Sequence, residues 1–455
     1  LFPDAAAAKL WAMRVGWVPL LLIAIGCGGK TTAAPLVPFS LSNSSGAVPA
    51  VADCSNGPSP PLRRGAAGAV LAAIELQGLS FPSNCGDTPA LDAKRATHVA
   101  LDRCGDTVVL SSLCVKRIEM ATVVKLDAQL NVIWQFDILD EGAAASLALD
   151  EQGSLAVGLK SNDPNKPAKL LSFDSRGQPL GARPFVDRDG STRFLEDPSH
   201  LMVIPGGGLF GLVSGRVYTA DSRLNWQLSP VSWNDNRGMP LDLERRGANG
   251  AAVVKQHLQN NADGLVDKVG TSMPTVVDFL SSGGGQVASL SVESGFVYRG
   301  NVVVTDDDRL FLALSQETNL TPLVYDRAKD HFAPDPKVDS SVRWYGGTGE
   351  LGMRKEVSRW SAQANVWIDE MLRASDGSLV IAGTVLEGQN RRSLYVAKLD
   401  PEGQQAEWEN VIPPEQGGAD LGVRSYVSAS LNASGDLVVS TTTAQGHPWV
   451  AIIEL

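Results

Sequence analysis

LRASDGSLVIAGTVLEGQNRRSLYVAKLDPEGQQAEW, residues 372–408, is punctuated as a small antiparallel sheet. An apolar strand ends in an Asp376-Gly377 turn. A second strand follows over 379–385, then a polar loop, a third strand over 394–399, a Pro401-Glu402-Gly403 turn and a fourth strand carrying Trp408. Runs of about four to eight apolar and β-branched residues bounded by Gly, Pro, Asp and Ser are strand signals; Gly tolerates φ > 0 in the turns and Pro presets φ. A single sheet of this kind cannot cover both of its faces, so it needs neighbours of its own sort.

Weaker copies fill most of the chain. The first spans 97–136, and its Val123-Val-Lys-Leu-Asp127 with Trp134 echoes Val396-Ala-Lys-Leu-Asp400 with Trp408. The second spans 146–180 and the third 200–226; a degraded fourth starts at Leu241 and the fifth at Asn301. The stretch at 372–408 is the sixth, and the seventh runs to the C-terminus. The first-turn residues Gly105, Gly153, Gly207, Gly250, Asp308, Gly377 and Gly435 stand 48, 54, 43, 58, 69 and 58 residues apart. Variation of this size suits loop insertions between repeated strands rather than separate domains. The expectation is an all-β fold, a β-propeller of about seven four-stranded antiparallel blades over residues 65–455. Six or eight blades stay open, because the fourth unit is weak and the longest interval has room for another hairpin. The last unit stops after its third strand, and Val70-Leu-Ala-Ala-Ile-Glu-Leu76 is placed to supply the missing fourth. Closure by that N-terminal strand removes an exposed edge.

Lys and Arg number 39 against 50 Asp and Glu, a formal net charge of −11. That balance argues against a nucleic-acid backbone or an anionic membrane surface as the main partner. The 45 Gly and 26 Pro, with few amphipathic helical stretches, agree with a turn-rich β protein.

The N-terminal region reads differently. MRVGWVPLLLIAIGC, residues 13–27, has a positive start at Arg14 and an apolar run from Val15 to Ile25. That run is too short to span about 30 Å of hydrocarbon, so it reads as the apolar core of an export signal, with Met13 as the expected true start. Its end, Ile23-Ala-Ile-Gly-Cys27, resembles the lipobox of bacterial lipoproteins, with Ala24 where that family more often has Leu. The resemblance implies that Cys27 is acylated and becomes the mature N-terminus; Gly28 in place of Asp favours the outer membrane of a Gram-negative cell. Residues 28–64, rich in Pro, Ser, Ala and Gly, read as a flexible tether after the 1–27 leader. Ala24 to Thr31 also fits a relaxed phosphate-loop pattern, but Ala-Ala-Pro follows where a helix would have to begin, and the nucleotide reading is set aside.

With Cys27 lipidated, four cysteines remain: Cys54, Cys85, Cys104 and Cys114. An even number in an exported chain reads as two disulfides with three possible connectivities. A strand over 107–113 would hold Cys104 and Cys114 more than about 20 Å apart, beyond the roughly 7 Å that a disulfide allows between Cα atoms. Without a C-x2-C spacing or a neighbouring His pair, no metal site is expected.

The remaining candidates have bland readings. Trp134, Trp226 and Trp408 recur at one blade position and are expected to pack between blades, whereas Trp233, Trp344, Trp360 and Trp367 lie outside it and are the better binding candidates. Asp187-Arg-Asp189-Gly190 has the carboxylate alternation of a calcium loop without its further ligands and reads as a solvated loop. Asp306 to Asp308 are turn residues. His98 and His200 stand at equivalent strand starts and suit packing or hydrogen bonding, and Arg391-Arg392 reads as a solvated loop. No nucleophile elbow or zinc-binding helix is present.

The repeated hairpins resemble the bacterial propeller repeats related to quinoprotein (PQQ-type) blades, over roughly residues 70–455. The dehydrogenases of that type use calcium, a catalytic Asp and usually adjacent cysteines. No adjacent cysteines occur here, so no cofactor is expected. The functional expectation is a lipid-anchored, exported propeller acting as a non-catalytic binding or scaffold protein at the cell envelope, on the periplasmic or surface face. An envelope protein or a polysaccharide is the expected partner. The alternatives are an envelope hydrolase, lyase or oxidoreductase with its site in the central channel, or a carbohydrate-binding surface. Acidic, basic and His side chains gathered in the channel would favour the enzyme.

Overall fold

The apolar runs of the second and third strands of each repeat point their side chains alternately to two different neighbours, so both faces are buried and the runs are nearly continuous. In blade 1, Val108 and Leu110 face blade 2 while Val109 between them faces blade 7. In blade 6, Leu379 and Ile381 face blade 5 while Val380 and Ala382 face blade 7. This alternation is the strand period of two acting on a radial stack of sheets.

The chain is a seven-bladed β-propeller. The computed structural model describes residues 41–42, 62, 65–76, 97–115, 118–138, 142–150, 153–161, 166–185, 198–204, 208–213, 216–221, 226–228, 238–246, 250–257, 275–292, 297–305, 309–317, 324–326, 331–333, 338–346, 355–363, 365–387, 391–421 and 425–455. The innermost strands, blades 1 to 7 in order, are Thr97–Leu101, Ala143–Leu149, Pro198–Ile204, Gly238–Arg246, Val297–Val304, Val366–Arg373 and Ser428–Leu431. Each packs on the next, and Ser428–Leu431 packs back on Thr97–Leu101, so the ring closes around a central channel. Among the described residues seven apolar clusters lie one at each junction between neighbouring blades. At about 1.5–3 kcal/mol for each fully buried large aliphatic or aromatic side chain, these junctions are the main stabilising element.

Closure follows the expected route. Val70–Glu75 is the outer strand of blade 7, antiparallel to Pro448–Ile453. The seam is fixed by the Leu76 amide on the Pro448 carbonyl, by the Gly65 amide on the Glu454 carboxylate and by His447 Nδ1 at 2.7 Å from Glu75 Oε1. At the junction of blades 7 and 1, the Val99 amide donates to Ser428 Oγ and the Thr97 and Thr442 hydroxyls meet at 3.0 Å.

Three details differ from the sequence reading. The weak fourth unit is a full four-stranded blade. The long interval before blade 6 holds a hairpin, Val324–Asp326 with His331–Ala333, inserted between the second and third strands of blade 5 and not an eighth blade. Blade 1 gains a fifth strand, Leu41–Ser42, on its outer edge, from within the segment read as tether.

The shared Lys-Leu-Asp motif is structural. Lys125 Nζ reaches the first turn of its blade at 2.7 Å from Asp102 and 3.0 Å from Asp106, and Lys398 Nζ lies 2.8 Å from Asp376. The Asp of each motif organises the second turn: Asp127 Oδ1 accepts the amides of Gln129 and Asn131, and Asp400 Oδ1 that of Gln404. Such Asx turns give the sheet its recurring Asp-x-x-Gly hairpins.

Candidate channel site

Five innermost strands share an irregularity that sequence periodicity does not show. The pairing with the second strand skips one residue between Ala144 and Ser146, Pro198 and His200, Pro240 and Asp242, Val297 and Arg299, and Ile368 and Glu370. A β-bulge re-aims the side chains beside it. The residues that follow it are therefore Ser146, His200, Asp242, Arg299 and Glu370, polar in every blade that carries the bulge.

Those of blades 3 to 6 meet one another or residues of the neighbouring blades. Asp242 Oδ1 accepts the Leu243 amide and its Oδ2 the Val302 amide of blade 5, both at 2.7 Å, while His200 Nε2 of blade 3 lies 4.0 Å from Oδ1. Arg299 of blade 5 is in direct contact with Asp369 of blade 6, which is fully buried. Asn301 Nδ2 donates to the Asp369 carbonyl at 2.8 Å, and Asp369 Oδ2 accepts the Val427 amide. The Tyr426 hydroxyl stands 3.0 Å from the same Asp369 carbonyl and 3.2 Å from Glu370 Oε1. The Arg299 and Arg392 guanidiniums lie over the Trp367 ring, 5.2 and 4.9 Å from its centroid, and Arg299 also lies 5.5 Å from the Tyr426 ring centre.

The electrostatics follow from depth. Asp242 keeps 15% and Arg299 18% side-chain exposure. Burial is the main cause of the shifts there. It pushes the Asp242 carboxyl up to about 6 against two stabilising backbone amides, and Glu244, with Asp242 close by, up to about 8. Glu370 is raised well above the ordinary range by burial and then by the charges of Asp242 and Glu244. Burial and the neighbouring Arg392 lower Arg299 to about 9. The three carboxyls thus sense one another across two blades.

Comparison with known proteins agrees with the fold. No protein-family model matches the chain, and no curated protein matches it in sequence. Solved structures align with its fold. Hydrazine synthase of Kuenenia stuttgartiensis aligns over 80% of this chain and 96% of its own at 13% identity and a TM-score of 0.50. The Plexin A4 extracellular region aligns over 79% of this chain and 46% of its own at 8% identity and a TM-score of 0.50. At these identities the likeness concerns architecture alone.

The sequence candidates are distributed unevenly over this site. Trp367 is in it, whereas Trp344 and Trp360 pack into the junction of blades 5 and 6. Trp134 packs at the junction of blades 1 and 2 and Trp408 at that of blades 6 and 7, as expected for the recurrent position. The Arg391-Arg392 pair is no solvated loop: it opens the strand Arg391–Leu399, and Arg392 is buried, donating to Thr384 Oγ1 as well as covering Trp367. Cys104 is disulfide-bonded, and the side chain it joins is not among those described. Cys114 lies within the strand Thr107–Val115. Cys27, Cys54, Cys85, Trp233, Asp187 to Gly190 and Asp306 to Asp308 lie outside the described residues. Among the described residues no group of three or more His, Cys, Asp or Glu side chains could hold a metal ion, and no helix is long and apolar enough to cross a membrane.

Asp242, Glu244, Arg299, Asn301, Asp369, Glu370 and Tyr426 were not singled out by the sequence reading. Their one signal is a charge interrupting an apolar strand start, as in Pro240-Leu-Asp-Leu-Glu244 and Trp367-Ile-Asp-Glu370.

Proposed function

We propose that this chain is an exported propeller, held at an envelope membrane by a lipid on Cys27, that binds a small polar ligand in its channel between blades 4 and 7. The single observation that carries the ligand site is the convergence of Asp242, Glu244 and Glu370 with Arg299 and Tyr426 on the inner strands of the ring. Burying several ionisable groups together is costly, and such groups collect where a ligand or a reaction uses them. The anchor and the envelope location rest on the Ile23-to-Cys27 signal and the Pro/Ser/Gly-rich segment after it. An envelope protein or polysaccharide is the partner this reading leaves for the outer surface.

Two measurements test the parts separately. Replacing Cys27→Ala moves the protein from the membrane fraction to the soluble fraction; unchanged attachment removes the anchor. A thermal-shift screen of small polar compounds on the full chain finds ligands whose effect disappears in Asp242→Asn; hits indifferent to that substitution place binding elsewhere.

A second reading has its own observation. Asp242 and Glu244 sit two residues apart on one strand face, one with its carboxyl near 6 and the other near 8. At neutral pH one is mainly ionised and its neighbour mainly protonated, the arrangement of a base and an acid. Turnover of a small molecule that is lost in Glu244→Gln would rank the enzyme first.

A further inference from the structure

One buried acceptor in the channel cluster points to a ligand. Arg299 pairs with Asp369 and donates to the Ser425 carbonyl, and Arg392 donates to Thr384 Oγ1. The amide of Asn301 is spent on the Asp369 carbonyl, the same atom that the Tyr426 hydroxyl approaches. Asn301 is only 5% exposed, and its Oδ1 accepts no hydrogen bond. Its amide shares the Asp369 carbonyl with the Tyr426 hydroxyl, which also reaches Glu370 Oε1, so the orphan oxygen belongs to the same cluster as that carboxyl. A buried acceptor left unsatisfied costs about 1–3 kcal/mol, and a ligand bearing an N–H or O–H donor removes that cost.

Charge and shape narrow the class. Asp242 disfavours the ionisation of Glu244, and both disfavour that of Glu370, so a positive charge placed beside these carboxyls is favoured. A sugar would need an aromatic face to lie on, but guanidiniums already cover the Trp367 and Tyr426 rings. A bare metal ion lacks a ligand cage among the described residues.

From Asn301 Oδ1 and the facing carboxyls of blades 4 and 6, we infer that the channel binds a small primary amine in its protonated form. The ammonium donates to Asn301 Oδ1 and to the carboxylate oxygens. This deepens, and rests on, the reading of the channel as a small-ligand site.

Calorimetric titration of the full chain with ethanolamine, putrescine, choline and glucose tests it. Ethanolamine and putrescine bind; choline, with its charge but no N–H, binds at least about tenfold more weakly, the worth of one charge-assisted hydrogen bond. Asn301→Ala weakens the primary amines by about the same factor. Glu370→Gln, which conserves shape, weakens them too and serves if Asn301→Ala does not fold. Equal binding of choline, or amine binding indifferent to both substitutions, overturns the inference. Glucose binding that needs Asp242, with no amine binding, overturns it while leaving the channel site standing. Failure of every compound in the wider screen to act through Asp242 removes both.

Discussion

Glu370 of blade 6 and Tyr426 of blade 7 meet at 3.2 Å while the tyrosine hydroxyl also lies 3.0 Å from the Asp369 carbonyl. A hydroxyl has one proton, and a carbonyl can only accept. The hydroxyl proton is therefore shared between two acceptors, the Asp369 carbonyl and Glu370 Oε1. The shared bond ties the bulge of blade 6 to the start of blade 7. Tyr426→Phe leaves the Asp369 carbonyl and the Glu370 carboxyl without that donor and is expected to cost about 1–3 kcal/mol in urea unfolding at neutral pH. Glu370→Gln keeps an acceptor oxygen in the same place and is expected to cost less than about 1 kcal/mol. The reverse order of the two losses would place the proton elsewhere.

Gly383 is the second-strand residue opposite that bulge, paired with Ile368. Its need for glycine is steric: a Cβ there would collide with the Trp367 carbonyl oxygen, which is backbone and cannot swing away. Gly158 also stands beside a bulge, paired with Ser146, the residue after the skip in blade 2, and a Cβ there would meet Ser146 and Pro198 side chains. Gly383→Ala should therefore push Trp367 to Glu370 out of register and lower stability by about 1–3 kcal/mol, the usual cost of overpacking. The same variant should lose ligand response in the thermal-shift screen, whereas Gly105→Ala, at a turn with open space around it, should affect stability alone.

The ring seam gives a third expectation. Leu76 follows the closing strand and is buried at the junction of blades 7 and 1 with Val438, Val450 and Ile452. A charge there sits among apolar side chains with no partner. Leu76→Asp should lower the urea midpoint by an amount equivalent to about 2–4 kcal/mol and expose the edge of Pro448–Ile453, with concentration-dependent aggregation as the second readout. A variant that melts like the parent would mean the seam contributes little to closure.

How much of this was legible in the sequence depends on what generated the pattern. Blade strands and turns were, because burial on both faces writes runs such as 379–385, and hairpin geometry writes Asp-x-x-Gly. Even blade 7 borrowing 70–76 could be read from a strand missing at the C-terminus. The channel could not, because the bulge shifts register without changing composition, and Asp242 and Glu370 look like ordinary strand-edge charges until blades distant in sequence are brought together. Arg392 misled for a related reason: its side chain is polar, but the sandwich of Trp367 and Thr384 that buries it comes from other strands. Leu130 shows the limit from the other side. It holds a left-handed φ of 65° in the turn position where blades 2 and 6 have Gly177 and Gly403, and its burial against the blade 7 junction compensates.

The channel carboxyls also make stability depend on pH, with a sign fixed by their shifts. Asp242 rises from 3.8 to about 6 and Glu244 from 4.5 to about 8 on folding, so the folded protein holds protons that the unfolded chain has released. Their contribution is complete below about pH 4 and is lost as pH rises through the folded values. Gln at position 244 cannot ionise and escapes that loss. The melting temperature of Glu244→Gln relative to the parent should therefore increase as pH rises from about 5 to about 8, with the smallest difference at the acid end. Calorimetric melts of both proteins across that range check it; a difference that shrinks with rising pH would mean Glu244 is stabilised as the carboxylate, and would place a positive partner beside it in the free protein.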